Sequence, residues 1–248
     1  MTRASSSKKT RSKRTPAAPA AIDVFDDLAG PCRSLARRSP ALRVALRAID
    51  RPHVRRRTGG FEGLFRIIVE QQVSVPSAQA IWGRLSQAFD VADPEAIRAA
   101  GAPALCAQGL SRPKAGYVIG LADGLASGEL CLASCAALDN DAAADALTAV
   151  KGVGPWSASI YLLFCEGRVD IWPPKDVALK AAFNAANVAA AKASRRSSRQ
   201  SSRQIDDSPP GLPQAEIDAL AADWAPYRGV AAHILWTYYA RMKGRTPI

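Results

Sequence analysis

Asp176 stands after Pro173, Pro174 and Lys175 and before an amphipathic run, in "PPKDVALKAAF". An aspartate at that place is a preferred helix N-cap. The same helix end favours the ionised carboxylate, so Asp176 is also suited to act as an anion or base, and not as a proton donor. Earlier in the chain, "VKGVGPWSAS" (150–159) sets Gly152, Val153 and Gly154 after Lys151 and ahead of Pro155 and Trp156. Gly-x-Gly between two helical stretches is a tight turn or a phosphate grip. Glycine opens backbone conformations closed to other residues and removes the Cβ that would block a phosphate. Pro155 suits the first turn of a helix, whose free N–H groups attract anions. Such a grip fixes position without reading sequence. Three further features invite chemistry or packing. Trp156 and Trp236 offer electron-rich faces to a cation or fill a core. Gln71 and Gln72 interrupt the apolar "FRIIV" and "VSV", either as an exposed helix end or as a contact surface, with Ser74 placed to cap the next helix. Arg228, in "PYRG", suits an ion pair or a phosphate contact. His53 and His233 are lone histidines with core or surface roles, and Tyr161 and Phe164 read as core.

The elements that must position these residues are helices. Apolar residues recur at spacings of three and four, as in Leu64, Ile67 and Ile68 or Ile81, Leu85 and Phe89, and sustained strand alternation is missing. Helical stretches begin at "FEGLFRIIVEQQ", "PSAQAIWGRLSQAF", "RPKAGYVIGLADGLASG", "DAAADALTAV", "WSASIYLLFCEG", "DVALKAAFNAANVA", "QAEIDALAADW" and "RGVAAHILWTYYARMK", with Pro, Asp, Ser or Gly at most ends. The fold class is all-α, with a helix, hairpin and helix over residues 147–165. Residues 1–20 lack large apolar side chains beyond the initiator Met and read as a disordered basic tail, leaving one helical domain over 21–248. Within it, about 190–212 reads as a flexible basic insertion ending in Pro-Pro-Gly.

The formal net charge is +11, yet +6 of it lies in residues 1–14 and +3 in 189–208, which leaves +2 for everything else. Charge alone therefore does not establish a polyanionic partner. The five cysteines form no C-x-x-C pair, which speaks against a zinc or iron–sulfur site and for reduced thiols. No apolar run reaches the roughly 18 residues of a membrane span.

Taken in order, three segments carry a resemblance. "LTAVKGVGPWSASIYLLFCEGRVDIWPPKDVALK" is similar to the signature of helix-hairpin-helix DNA glycosylases, whose hairpin is followed by D-x-[FW]-x-x-x-D; here the two are Asp170 and Asp176. "FRIIVEQQVSVPSAQAIWGRL" resembles the same family's QQ-[IV]-S segment, and "WAPYRGVAAHILW" resembles the last-helix motif of the 3-methyladenine DNA glycosylase II branch. The matches span about residues 61–240.

The resemblance implies a helix-hairpin-helix glycosylase fold, two helical subdomains flanking an active-site cleft, without the N-terminal β-rich domain of some relatives. It implies base excision repair by a monofunctional glycosylase that flips out alkylated purines such as 3-methyladenine and 7-methylguanine and leaves an abasic site. Asp176 matches the catalytic aspartate, and Trp156 and Trp236 match base-pocket tryptophans. Lys151, Gly152, Val153 and Gly154 form the DNA-binding hairpin. Gln71, Gln72 and Ser74 lie at the wedge that fills the gap in the duplex. Trp156 stands where strand-cleaving members carry a Schiff-base lysine, so no lyase activity is expected. No cofactor or catalytic metal is implied; a monovalent or divalent cation on the hairpin's backbone carbonyls is compatible with the family. The expected partner is damaged double-stranded DNA, with no membrane. The expected state is a monomer in the cytoplasm, nucleoid-associated in a bacterium or nuclear in a eukaryote. A glycosylase for a deaminated or oxidised purine, and a non-catalytic DNA-binding module, are the alternatives.

Overall fold

The structure, a computed structural model, describes residues 28–197 and 211–246. Residues 1–20, expected to be a basic tail, lie outside the described residues. The described chain is helical: α1 (Ala29–Arg38), α2 (Pro40–Ala48), α3 (Gly60–Glu70), α4 (Val75–Ala88), α5 (Pro94–Ala107), α6 (Arg112–Ser127), α7 (Leu132–Ala136), α8 (Asn140–Thr148), α9 (Pro155–Phe164), α10 (Val177–Ser197), α11 (Gln214–Leu220) and α12 (Arg228–Met242), with a 3-10 turn at Ala221–Trp224.

Local chemistry places the helix ends. Ser39, Ser74, Asp93 and Asp139 each accept a hydrogen bond from a first-turn amide, satisfying a donor that the helix itself cannot. Ser74 thus caps α4 as its position foretold. Gly128 closes α6 in the left-handed conformation. Inside α5, Gly101 at φ +74 breaks the helical run two residues before Pro103.

Packing sorts the helices into two groups. α3 to α9 pack mainly on one another, with α3 against α4, α6, α7 and α9, and α8 against α7 and α9. α1, α2, α10, α11 and α12 form the second group, so the two ends of the described chain meet. The groups join where α9 and α12 approach: both are buried along most of their length. Gly229 permits that approach, because a Cβ there would strike the Leu163 side chain and the Arg168 and Val169 carbonyls. Its amide instead donates to Val169 O at 2.8 Å. In α3, Leu64, Phe65, Ile67 and Ile68 are fully buried, each contributing roughly 1.5–3 kcal/mol by leaving water.

The insertion expected over about 190–212 is shorter at its start than its composition suggested. α10 continues to Ser197, because the alanines after Asn187 are strong helix formers that need no apolar face to stay helical. Residues 198–210 lie outside the described residues.

Candidate active site

A cleft of about 1140 Å³ opens between the two helical groups. Its walls are the α3–α4 turn, the start of α6, the hairpin between α8 and α9, and residues 174–177 at the head of α10. Of the expected site residues, Gln71, Gln72, Lys151, Gly152, Val153, Gly154, Trp156 and Asp176 all face it. Trp236 and Ser74 do not line it.

The hairpin's two glycines do different work. Gly152 adopts φ +91 and lies against the Tyr117 ring, which occupies the place of its missing Cβ. Gly154 has ordinary extended geometry as the N-cap of α9, and a Cβ there would meet nothing within 4 Å. Internal packing therefore does not require glycine at 154; only something approaching from the cleft would. Val153 is buried and its amide closes the turn onto Val150 O at 3.0 Å. Among the described residues, the amides of Gly152 and Gly154 donate to no protein group, and the first-turn amides of α9 have no intrahelical partner. Gly152, Gly154 and the first turn of α9 line the cleft, which places these free N–H groups and the positive end of the helix dipole beside it, a candidate anion site. The hairpin carbonyls of Val150, Gly152 and Gly154 already accept bonds from Val153, Gln71 and Ala158, so a cation held there would share them.

Asp176 is 8% exposed. Its Oδ1 accepts from the amides of Ala178 and Leu179, both at 2.9 Å, and its Oδ2 accepts from Trp156 Nε1 at 2.9 Å. Cap and candidate catalyst are therefore the same group. A carboxylate offers about four acceptor positions. Three are filled, which leaves one on Oδ2 for a water or a sugar. The preceding residue, Lys175, sits at φ +59, uncommon for a residue with a side chain. Asp218 of α11 stabilises that bend by accepting from Lys175 N at 3.4 Å and from Trp172 Nε1 at 2.8 Å. Val177, next to Asp176, is 80% exposed at the cleft.

The segment expected to form the wedge divides into inward and exposed parts. Gln71 turns inward: its Nε2 donates to Gly152 O and Ser157 Oγ, both at 2.9 Å. Gln72 is exposed at φ +53, a conformation that costs roughly 1–2 kcal/mol outside glycine. Val73 and Val75 beside it are exposed apolar residues. Strain and exposed apolar surface at one tip mark a segment built to meet something else.

Trp236 takes a different place. It is 7% exposed, edge-on to Phe164 at 5.3 Å and to His233 at 5.8 Å. The Arg55 guanidinium lies over Trp236 at 5.6 Å and over Phe164 at 5.7 Å. Arg55 makes no hydrogen bond or ion pair among the described residues. Burial, with the Arg57 charge nearby, pulls its pKa down to about 10, while Asp176 and Glu70 act the other way. His233 is fully buried, and neither ring nitrogen finds a partner among the described residues. Burial therefore drives its pKa down to about 3 and keeps it neutral.

Arg228 is settled as an ion-pair residue, with Nε to Asp170 Oδ1 at 2.8 Å and its terminal nitrogen to Oδ2 at 3.0 Å. Asp170 also accepts from Arg228 N at 3.1 Å, so it caps α12 and ties it to the loop that leads to Asp176. His53 is exposed, and Tyr161 and Phe164 are core. Sequence patterns alone do not mark Lys114, Tyr117, Arg55 or Asp218. Arg55 lies in the run Arg55-Arg56-Arg57, the one signal available; the others look like ordinary helix-surface residues. Among the described residues, three lysines (114, 151 and 175) and one carboxylate, Asp176, are the charged groups lining the cleft.

Among the described residues no helix is long and apolar enough to cross a membrane, and no group of three or more His, Cys, Asp or Glu could hold a metal ion. A crystal structure of DNA-3-methyladenine glycosidase from Bacillus halodurans superposes with a TM-score of 0.68 at 24% identity, covering 92% of this chain and 94% of that one. The Clostridium acetobutylicum 8-oxoguanine glycosylase/lyase bound to double-stranded DNA gives 0.70 at 18% identity, over 90% of this chain and 73% of that one. In sequence, DNA-3-methyladenine glycosylase 1 of Schizosaccharomyces pombe is 28% identical over 127 residues, 50% of this chain and 56% of that protein. The chain spans little more than half the length of the curated relatives it matches. The description "HhH-GPD superfamily base excision DNA repair protein" matches residues 65–205, more than half of the 248, and the region holds the hairpin, Trp156 and Asp176 together. On that match the chain belongs to the HhH-GPD superfamily of base excision DNA repair proteins.

Proposed function

We propose that the chain is a monofunctional DNA glycosylase that removes alkylated purines from duplex DNA. The observation that carries this reading is the pairing of Asp176 with Trp156 in the cleft that Gly152 and Gly154 also line. It puts one anchored carboxylate within the same opening as an anion site suited to a DNA phosphate. A purine alkylated at N3 or N7 already bears positive charge. Its bond to C1′ breaks with the electron pair going to the base, which leaves neutral, so no strong general acid is needed. The sugar becomes cationic as it loosens. Asp176, its carboxylate anchored by three donors, stabilises that charge. Water then adds to C1′ and gives its proton to the free position on Oδ2 or to solvent.

Trp156 supports the hydrolytic form of the reaction, because the place of the lyase lysine holds an indole tied to Asp176. Lys114, the half-buried lysine of the cleft, has its ammonium bonded to two carbonyls and is not free to attack. One observation favours a second reading. Trp236, one of the two tryptophans expected to stack on a charged base, does not line the cleft and lies under the Arg55 guanidinium, which leaves less cation–π attraction for a charged base and favours a neutral lesion. The test is base release from methylated duplex, from hypoxanthine-containing duplex and from oxidised duplex, each read by mass. Release of 3-methyladenine or 7-methylguanine with the strand intact supports the first reading. Release of only hypoxanthine or an oxidised purine selects the second, and strand cleavage, or a Schiff-base adduct trapped by borohydride, contradicts the hydrolytic mechanism.

A further inference from the structure

The α3–α4 turn is held by contacts that the chemistry at Asp176 does not use. Lys114 lies in the first turn of α6, and its ammonium donates to Val69 O at 2.9 Å and also to Gln71 O. Both carbonyls belong to the end of α3, where the last C=O groups lack intrahelical partners and the dipole is negative. Burial lowers the Lys114 pKa from its ordinary value, as expected of an ammonium that has left water for these two oxygens. Gln71 carries the connection onward to Gly152 O and Ser157 Oγ, both at 2.9 Å. Tyr117, three residues along α6, lies under Gly152. One face of α6 thus touches both the turn that presents Gln72 and the hairpin that lines the cleft. Strained backbone such as that of Gln72 persists only where its surroundings over-determine it. Lys114 and Gln71 are the groups that do so.

We propose that Lys114 is a positioning residue for duplex opening: it clamps the end of α3 so that the Gln72 tip and the phosphate-facing hairpin meet DNA as one rigid unit. A phosphate seated on Gly152–Gly154 then fixes where Gln72 enters the stack. Opening the stack costs free energy that this rigid unit has to supply, whereas bond cleavage afterwards does not need it. The inference rests on the glycosylase reading for its substrate, but its physical content is the distortion of DNA.

Two readouts test it in the full-length protein. The first is single-turnover base release from one lesion placed in a fully paired duplex and in a bubble of unpaired bases. The second is fluorescence of 2-aminopurine stacked beside an abasic-site analogue, which rises when the stack opens and needs no lesion chemistry. Lys114→Met is expected to lower release from the paired duplex about tenfold or more, as loss of a charged hydrogen bond implies, and release from the bubble less than about twofold. The 2-aminopurine rise should shrink in parallel, and Lys114→Arg should restore part of it. If Lys114→Met does not fold, Gln71→Met keeps the side-chain length, removes the two bonds to the hairpin and is expected to show the same split. Equal losses on duplex and bubble, or a 2-aminopurine response equal to wild type, would overturn the proposal. A wild-type protein that releases no base but opens the stack contradicts the glycosylase reading and leaves the Lys114 proposal decided by fluorescence alone.

Discussion

The lip of the cleft and the aromatic wall behind it are built by opposite means. At the lip, position comes from backbone: Gly152 at φ +91, Gln72 at φ +53, Lys175 at φ +59, and hairpin amides that donate to no group among the described residues. In the wall, position comes from close packing of Phe164, His233 and Trp236 under the Arg55 guanidinium. The two tryptophans show the contrast. Trp156 is fixed by a hydrogen bond to Asp176 and keeps a surface on the cleft, whereas Trp236 is fixed by rings and a cation and is nearly sealed. A lip of this kind can lose function without losing its fold. A wall of this kind loses stability first.

Substitutions on either side test that division. Asp176 aside, the largest effect belongs to the wall: Trp236→Ala should lower unfolding free energy by about 3–5 kcal/mol, read by denaturant titration, while affinity of the folded fraction for abasic-site DNA changes little. Trp156→Phe keeps a ring but removes the donor to Asp176 Oδ2. It should slow base release about 10- to 100-fold in single-turnover assays with melting temperature nearly unchanged. His233 sharpens the contrast through pH. Its pKa is near 3 in the fold and 6.5 in the unfolded chain, so between those values the unfolded state binds a proton that the fold refuses. Stability should therefore fall as pH drops through that window, by about 2 kcal/mol between pH 8 and pH 5, and His233→Leu should flatten the loss in thermal melts across pH. The smallest effect is the most diagnostic for the lip. Gly154→Ala should weaken DNA binding about tenfold by fluorescence anisotropy with no loss of melting temperature, since its Cβ meets no protein atom. A drop in stability at Gly154, or none in binding, would break the division.

Much of this was legible before the structure, and the reason differs by residue. Helices follow apolar spacing and caps, so α3, α4, α6, α9 and α12 fall where periodicity places them. Asp176 and the hairpin are legible because their neighbours in sequence are also their neighbours in space. Even there, the two glycines looked alike and are not: only Gly152 needs its backbone freedom, while Gly154 needs open space. Arg55 over Trp236 and Lys114 under the α3–α4 turn join residues far apart in the chain. A lysine in a helix's first turn reads as solvated, because nothing local shows that two carbonyls of another helix lie within reach. The end of α10 escaped for the converse reason, since Ser/Arg composition suggested a loop where an alanine-rich helix runs on.

On the proposed reading Asp176 performs the chemistry and also caps α10, the cap being its bonds from the Ala178 and Leu179 amides. Asn is also a good N-cap, so Asp176→Asn separates the two roles. Single-turnover release of 3-methyladenine and 7-methylguanine from methylated duplex should fall by about 10²–10³-fold or more, with melting temperature and affinity for abasic-site DNA close to wild type. Release at the wild-type rate by a folded, DNA-binding Asp176→Asn protein would contradict the account.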